Sequence, residues 1–150
     1  MRPGTVAELP GLTRPHPARP APADGVELDA AAEEYDLFWS LSFALTAGTW
    51  ERIGGFDEAF EGYGAEDTDF GWRARARGVP MAWVGGAQAY HQWHPTSKPP
   101  WRHLDDILRN GEVFARRWGA WPMEGWLRAF AEAGAVRRTA EGWVRADAGA

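Results

Sequence analysis

Apolar residues recur at two intervals along this chain, and the intervals divide it into elements. In residues 101–118, Leu104, Ile107, Leu108, Phe114 and Trp118 lie at helical spacing, which predicts an amphipathic helix. Met123, Trp126, Leu127, Phe130 and Ala131 repeat the pattern behind Pro122 at a first-turn position, and Gly134 marks the stop. Together they predict a helical hairpin whose apolar stripes pack on a sheet or on a partner. Upstream, residues 37–46 partly alternate apolar with small polar positions, which predicts a half-buried strand ending at Gly48. Thr49 is placed to cap a short helical turn that closes at Gly54-Gly55. A helix is predicted over 67–77, with Phe70, Trp72, Ala74 and Ala76 along it, acids at its start, arginines at 73, 75 and 77, then Gly78 and Pro80. Residues 79–84 and 87–93 read as two further strands with a bend at Gly85-Gly86.

The flanks are less regular. Residues 1–24 hold six of the eleven prolines, which excludes a helix or a central strand there and predicts an extended or irregular leader. Residues 24–35 are acidic and alanine-rich, suiting a short helix or an arriving loop. Residues 95–100 form a proline-broken linker, and 137–150 a polar tail with one aromatic patch at Trp143-Val144. The expected organisation is therefore a leader (1–34), a central unit (35–98) and a helical hairpin with tail (99–150), of α/β class.

Composition narrows the function. A formal charge of −5 and a pI near 5.4 argue against nucleic acid as a partner, since phosphate binding needs a concentrated basic face. With no cysteine there is no disulfide, thiolate metal site or Cys nucleophile. No apolar run approaches a membrane span, and the first residues lack the order of a signal peptide, so the expected location is cytoplasmic. Arg102, Arg109, Arg116, Arg117 and Arg128 make the hairpin a candidate for peripheral contact with an anionic membrane, against the plainer reading of a solvated helix face. Ten tryptophans among 150 residues supply core filler or platforms for sugar rings.

The chemistry concentrates in residues 54–73. Gly54, Gly55, Gly62 and Gly64 make a loop that can reach left-handed conformations, Tyr63 stands between two of them, and Glu66, Asp67 and Asp69 follow at the loop-to-helix junction. Capping and the helix dipole account for the acids structurally. They do not account for the glycine-flanked tyrosine, or for His91 and His94, three apart, which on a strand would face opposite sides.

The order Gly-Gly-Phe-Asp-Glu-x-Phe-x-x-Tyr-Gly-x-Glu-Asp-x-Asp-x-x-Trp-Arg, then a histidine, resembles the acceptor-side half of GT-A glycosyltransferases. More narrowly, it is similar to the family-two transferases and the carboxy-terminal galactosyltransferase-type domain, over about residues 39–94. The resemblance implies an α/β fold, the acceptor-side half of a nucleotide-diphospho-sugar transferase, with few mixed strands. It implies hexosyl transfer to an acceptor hydroxyl, inverting, with Asp67 as general base and Glu66, Tyr63, Gly64 and Trp72 binding the acceptor. Asp69, Arg73, Gly55 and Asp57 would support them. His91, with His94 as fallback, would meet a nucleotide-bound Mn²⁺ or Mg²⁺. The family's nucleotide-binding half, with its Asp-x-Asp motif, has no counterpart here. Asp67-Thr68-Asp69 follows a glycine loop rather than a buried strand, so it is not that motif. The expectation is a fragment, a chain completed by a separate nucleotide-binding partner, or a non-catalytic module that holds glycans. A plain α/β domain whose acids only cap a helix is the remaining alternative.

Overall fold

The computed structural model of the chain describes residues 8–92 and 94–146. In order, these form helix α1 (Leu9–Leu12), strand β1 (Glu27–Asp29), a 3₁₀ segment (Ala32–Leu37), helices α2 (Ala47–Ile53) and α3 (Glu66–Ala76), and strand β2 (Ala82–Val84). A 3₁₀ turn (Trp101–His103), helices α4 (Leu104–Trp118) and α5 (Glu124–Glu132), and strands β3 (Val136–Arg138) and β4 (Trp143–Arg145) complete them. The class is mixed α/β, with helices dominant and every strand three residues long.

The helices form where the apolar spacing and end signals agree. Helix α3 carries Glu66, Asp67 and Asp69 in its first turn and Arg73 and Arg75 in its last, an order that complements the helix dipole. Helix α4 has Asp105 and Asp106 first, Arg116 and Arg117 last, and closes on Gly119 in the left-handed conformation. Helix α2 starts earlier than the sequence suggests: Thr46 is the cap, its hydroxyl accepting from the Thr49 N–H at 3.1 Å, and Gly54 closes it at φ 92°. Helix α5 begins at Glu124, so Pro122 precedes it rather than occupying its first turn.

Two apolar cores result. One joins Tyr35, Ile53, Phe70, Ala74 and Val79; the other joins Leu104, Ile107, Leu127, Phe130 and Val136 across α4, α5 and β3. The two helices of the hairpin thus bury their stripes on each other and on β3. Tyr35 closes the first core by donating its hydroxyl to the Val79 carbonyl at 2.7 Å. Above it, the backbone of the 3₁₀ segment lies so close to α3 that a Cβ on Gly71 would stand 2.6 Å from the Tyr35 carbonyl oxygen.

Several sequence expectations are corrected. Residues 37–46 form no strand: the 3₁₀ segment ends at Leu37, a turn follows, and no described strand lies alongside to share a ladder. Phe38 stacks on Phe70 at 5.1 Å, and Phe43, though exposed, reaches the same ring at 6.0 Å. The strand expected over 79–84 is shorter, and its antiparallel partner comes from the leader, with Leu28 opposite Trp83. Residues 87–92 hold no strand, and Trp93 lies outside the described residues. The leader also contains the single helical turn α1, where Pro10 occupies a first-turn position that needs no amide donor. The tail folds back as a β3–β4 hairpin, Arg137 opposite Val144.

The hairpin arginines are spent internally. Arg116 pairs with Glu112 and Arg128 with Glu124 along their own helices, Arg109 with Asp106, Arg117 with Asp57 and Asp69, and Arg102 donates to His103. That pattern describes a solvated face on which Arg109, Arg116, Arg117 and Arg128 are ion-paired within the chain. Among the described residues, no helix is long and apolar enough to cross a membrane.

Candidate functional site

The loop before α3 is built from left-handed residues. Gly62 has φ 74°, Gly64 has φ 99°, and Ala65, the helix cap, has φ 76° despite its Cβ. A non-glycine residue held there is strained, and such strain gathers at functional sites. Asn110, on the buried stripe of α4, fixes the loop. Its amide Nδ2 donates to the carbonyls of Glu61 and Gly64, both at 2.9 Å, and its Oδ1 accepts from the Glu61 N–H at 3.3 Å. The close approach needs glycine: a Cβ on Gly62 would fall 2.6 Å from the Asp106 carboxylate, and one on Gly64 2.8 Å from the Met123 sulfur. Sequence reading missed Asn110, although a polar residue three beyond Ile107 and four before Phe114 on an apolar stripe is a visible signal.

The three acids that follow have different surroundings. Asp69 is fully buried and accepts from Arg73 Nε at 2.7 Å, Arg117 Nη1 at 2.7 Å and Trp118 Nε1 at 2.9 Å. It therefore holds α4 against α3 and has no surface to offer a ligand. Arg73 passes the tie on by donating to the Ile53 carbonyl at 2.9 Å. Glu66 and Asp67 are half-buried, and each keeps one oxygen, Oε2 and Oδ1, without a hydrogen-bond partner among the described residues. Burial pushes the Glu66 carboxyl above its ordinary value, the Asp67 charge adds to that, and backbone N–H groups of Glu66 and Gly64 oppose it. Both unpaired oxygens are closed off from solvent, so each carboxylate keeps an unmet acceptor that a hydroxyl brought into contact with it would satisfy and could lose its proton to.

Around the acids lie cations and rings. Arg19, from the leader, donates to the carbonyls of Leu37 and Trp39 and lies 4.4 Å over the Trp39 ring. Burial lowers its pKa, and the neighbouring Asp67 charge raises it. Tyr63 stacks on His103 at 4.2 Å and on Trp126 at 5.9 Å. Burial raises the Tyr63 phenol, with Glu66 adding to the shift and Arg102 opposing it. Gly55 packs under Trp50, and Asp57 pairs with Arg117 and accepts from the Ala59 N–H at 2.8 Å, which holds its carboxyl below the usual range.

Trp72 donates to Asp36 and stands edge-on to Phe114 at 5.0 Å and Trp118 at 5.4 Å. It borders a cleft of about 370 Å³ between the 3₁₀ segment, α3 and the start of α5, walled by Trp39, Trp72, Trp121 and Trp126 with Asp36, Thr68 and Glu124 among its polar groups. Sequence reading did not find the cleft, because its walls are more than eighty residues apart.

His91 and His94 are exposed, and their rings meet edge-on at 5.2 Å, so both imidazoles face one place instead of opposite sides of a strand. Among the described residues, no group of three or more His, Asp or Glu side chains converges to hold a metal. The pair supplies two nitrogen donors, fewer than Mn²⁺ or Mg²⁺ takes, and not the oxygen-rich shell these ions prefer.

Comparison with known proteins bears on this region. Residues 28–95 match the family model described as the N-terminal domain of galactosyltransferase. Over 85 residues the chain is 43% identical to validoxylamine A glucosyltransferase of Streptomyces hygroscopicus subsp. jinggangensis, covering 53% of this chain and 18% of that protein. Over 44 residues it is 48% identical to chondroitin synthase of Escherichia coli and 43% identical to that of Pasteurella multocida, covering 29% of this chain and 6% and 5% of those proteins. The chain spans less than a fifth of the length of the curated relatives it matches. No solved structure matches it. The family description and the relatives' names agree on one class, and the stretch holding the Glu66-Asp67 site is similar to glycosyltransferases.

Proposed function

We propose that this chain, glycosyltransferase-like over residues 28–95, is the acceptor side of an enzyme that moves a hexosyl group from a nucleotide-diphospho-sugar to an acceptor hydroxyl. The observation that carries the reading is the half-buried pair Glu66 and Asp67, each with an unpaired oxygen, opening α3 inside the matched stretch. Asp67 takes the proton of the acceptor hydroxyl as its oxygen bonds to the anomeric carbon. The bond from that carbon to the diphosphate breaks, and its electron pair leaves with the nucleotide. Glu66, with its carboxyl pushed up by burial, orients the acceptor ring beside it. A single displacement of this kind inverts the anomeric centre.

The chain is assigned as the carboxy-terminal half of a GT-A fold, with the nucleotide site on residues outside it or on a separate chain. The short share of the relatives that it covers leaves room for a nucleotide site on residues outside the matched stretch. The row of exposed apolar side chains Leu41, Phe43, Leu45, Trp50 and Phe56, in and after the segment whose pattern suits a strand, supports the assignment. A nucleotide-bound Mn²⁺ or Mg²⁺ would meet this chain at His91 or His94, with its other donors coming from diphosphate oxygens and from outside the chain. A cytoplasmic location accompanies this reading.

Calorimetric titration of the chain with UDP-sugars and GDP-sugars, with and without Mn²⁺, tests the donor side. No binding to the chain alone is the expected result, and Mn²⁺-dependent binding that His91→Ala weakens would instead put a donor site on this chain. Transfer to simple hexosides by the enzyme that includes the nucleotide-binding half, followed as released nucleoside diphosphate, tests the base. Asp67→Asn is expected to cut turnover by about 10²-fold or more while leaving the unfolding midpoint in place. Retained turnover removes Asp67 from that role. A second reading, a module that holds a glycan without transferring to it, is favoured by the four-tryptophan cleft and takes over if turnover is absent when the nucleotide-binding half is supplied.

A further inference from the structure

We infer that the cleft between α3 and the start of α5 is a subsite for one uncharged hexopyranose ring, and that the helical hairpin outside the matched stretch supplies half of it. The inference deepens the acceptor-side reading and takes its ligand class from it.

Its size and lining suit one ring. At about 370 Å³ it sits at the small end of ligand pockets, and its walls are mostly aromatic with a few polar groups. Sugar rings bind such sites by laying their C–H faces on indoles while hydroxyls find acceptors at the rim. The rings are held in place beforehand. Arg19 covers Trp39 at 4.4 Å and Arg75 covers Trp72 at 4.7 Å, each from one side. Trp121 lies in a slot between Gly111 of α4 and Gly142 of the β3–β4 turn, where added Cβ atoms would meet its ring at 2.7 and 2.3 Å. Met123, also on the cleft, is the second non-glycine residue with positive φ, at 54°, so the backbone is strained at this wall.

Charge sets the class of sugar. The ionisable side chains lining the cleft are Asp36 and Glu124, and no cation lines it among the described residues. An anionic sugar would lose its hydration there and meet carboxylates first, with the guanidinium groups of Arg19 and Arg75 on Trp39 and Trp72 and that of Arg128 already paired to Glu124, whereas hydroxyls can donate to both carboxylates. Thr68, next to Asp67 in the chain, also lines the cleft, which puts the first turn of α3 at its edge.

The test reads the indole N–H resonances of the chain during titration with methyl β-D-glucopyranoside, methyl β-D-galactopyranoside and, separately, methyl β-D-glucuronide. Saturable millimolar shifts at Trp72 and Trp121 are expected with a neutral glycoside, at least about tenfold weaker with the glucuronide. Gly125 lines the cleft in a helical conformation, and a Cβ there meets nothing within 4 Å. Gly125→Gln is therefore expected to fold and to lose the shifts, whereas Gly125→Ala keeps them. No saturable shift with any of the neutral glycosides, equal response to the glucuronide, or unchanged binding in Gly125→Gln would each overturn the subsite. Because no donor is present, binding without transfer preserves this inference while the catalytic reading fails. Transfer that depends on Asp67 but ignores Gly125→Gln does the reverse.

Discussion

At the scale of single residues, neighbouring carboxylates on one helical turn do unlike work. Asp69 has no solvent contact and answers two guanidinium groups and an indole. Removing one partner of such a set leaves the others buried and unmatched, so Asp69→Asn is expected to cost about 3 kcal/mol, read as a lower urea midpoint. Glu66 shows the opposite balance. Its folded carboxyl lies above the unfolded value because burial opposes its charge. The protonated form is therefore favoured by folding, and this contribution is present below the ordinary carboxylate range and is lost as pH rises through the raised value. Glu66→Gln should consequently melt higher than the parent chain at neutral pH, with the gap closing as the buffer is taken below pH ~4. Thermal melts across that window check it, and a gap that widens in acid would contradict the assignment of burial as the cause. The sequence announces all three acids but not their division of labour, because Arg117 and Trp118, which claim Asp69, lie 48 and 49 residues away.

At the scale of elements, helices were legible and strands were not. Helix α3 could be read over 67–77, within a residue of its observed Glu66–Ala76, because end signals and charge order agree, and α4 because Leu104, Ile107 and Phe114 repeat at its period. Strands of three residues are too short to show alternation, so β1, β3 and β4 left no mark. The opposite error came at residues 37–46, where a strand-like pattern has no neighbour to pair with, and pairing rather than pattern makes a strand. Helix α4 has a second task, visible only in three dimensions, since its Asn110 holds the glycine loop that carries Tyr63. Asn110→Ala would leave the carbonyls of Glu61 and Gly64 without that donor, for a cost of about 1–3 kcal/mol. Amide exchange in residues 61–65 is expected to speed up more than exchange in α5, and uniform acceleration would argue against a local clamp.

For the whole molecule, the question is whether two cores behave as one. The core under α3 and the core of the α4–α5 hairpin share few apolar contacts. They are joined by the Asp69 tie, the Asn110 clamp and the rings of Trp72, Phe114 and Trp118. These links predict one unfolding transition, with tryptophan emission and far-ultraviolet circular dichroism superimposable. In the double variant Asp69→Asn, Asn110→Ala the curves should separate as the hairpin outlasts its neighbour. Coincident curves in that variant would show that the rings alone unite the cores. The candidate site lies on this seam, which is why the matched stretch alone, read as sequence, revealed its acids and not its walls. The slot that holds Trp121 has a consequence of another kind. Positions 111, 121 and 142 can be exchanged only in a permitted order, because either glycine can gain a side chain only after the indole has been replaced by something smaller. A lineage drifting at these sites is therefore constrained by its history, since an alanine at 111 or 142 forces the Trp121 ring to shift, whereas a smaller side chain at 121 relieves that contact.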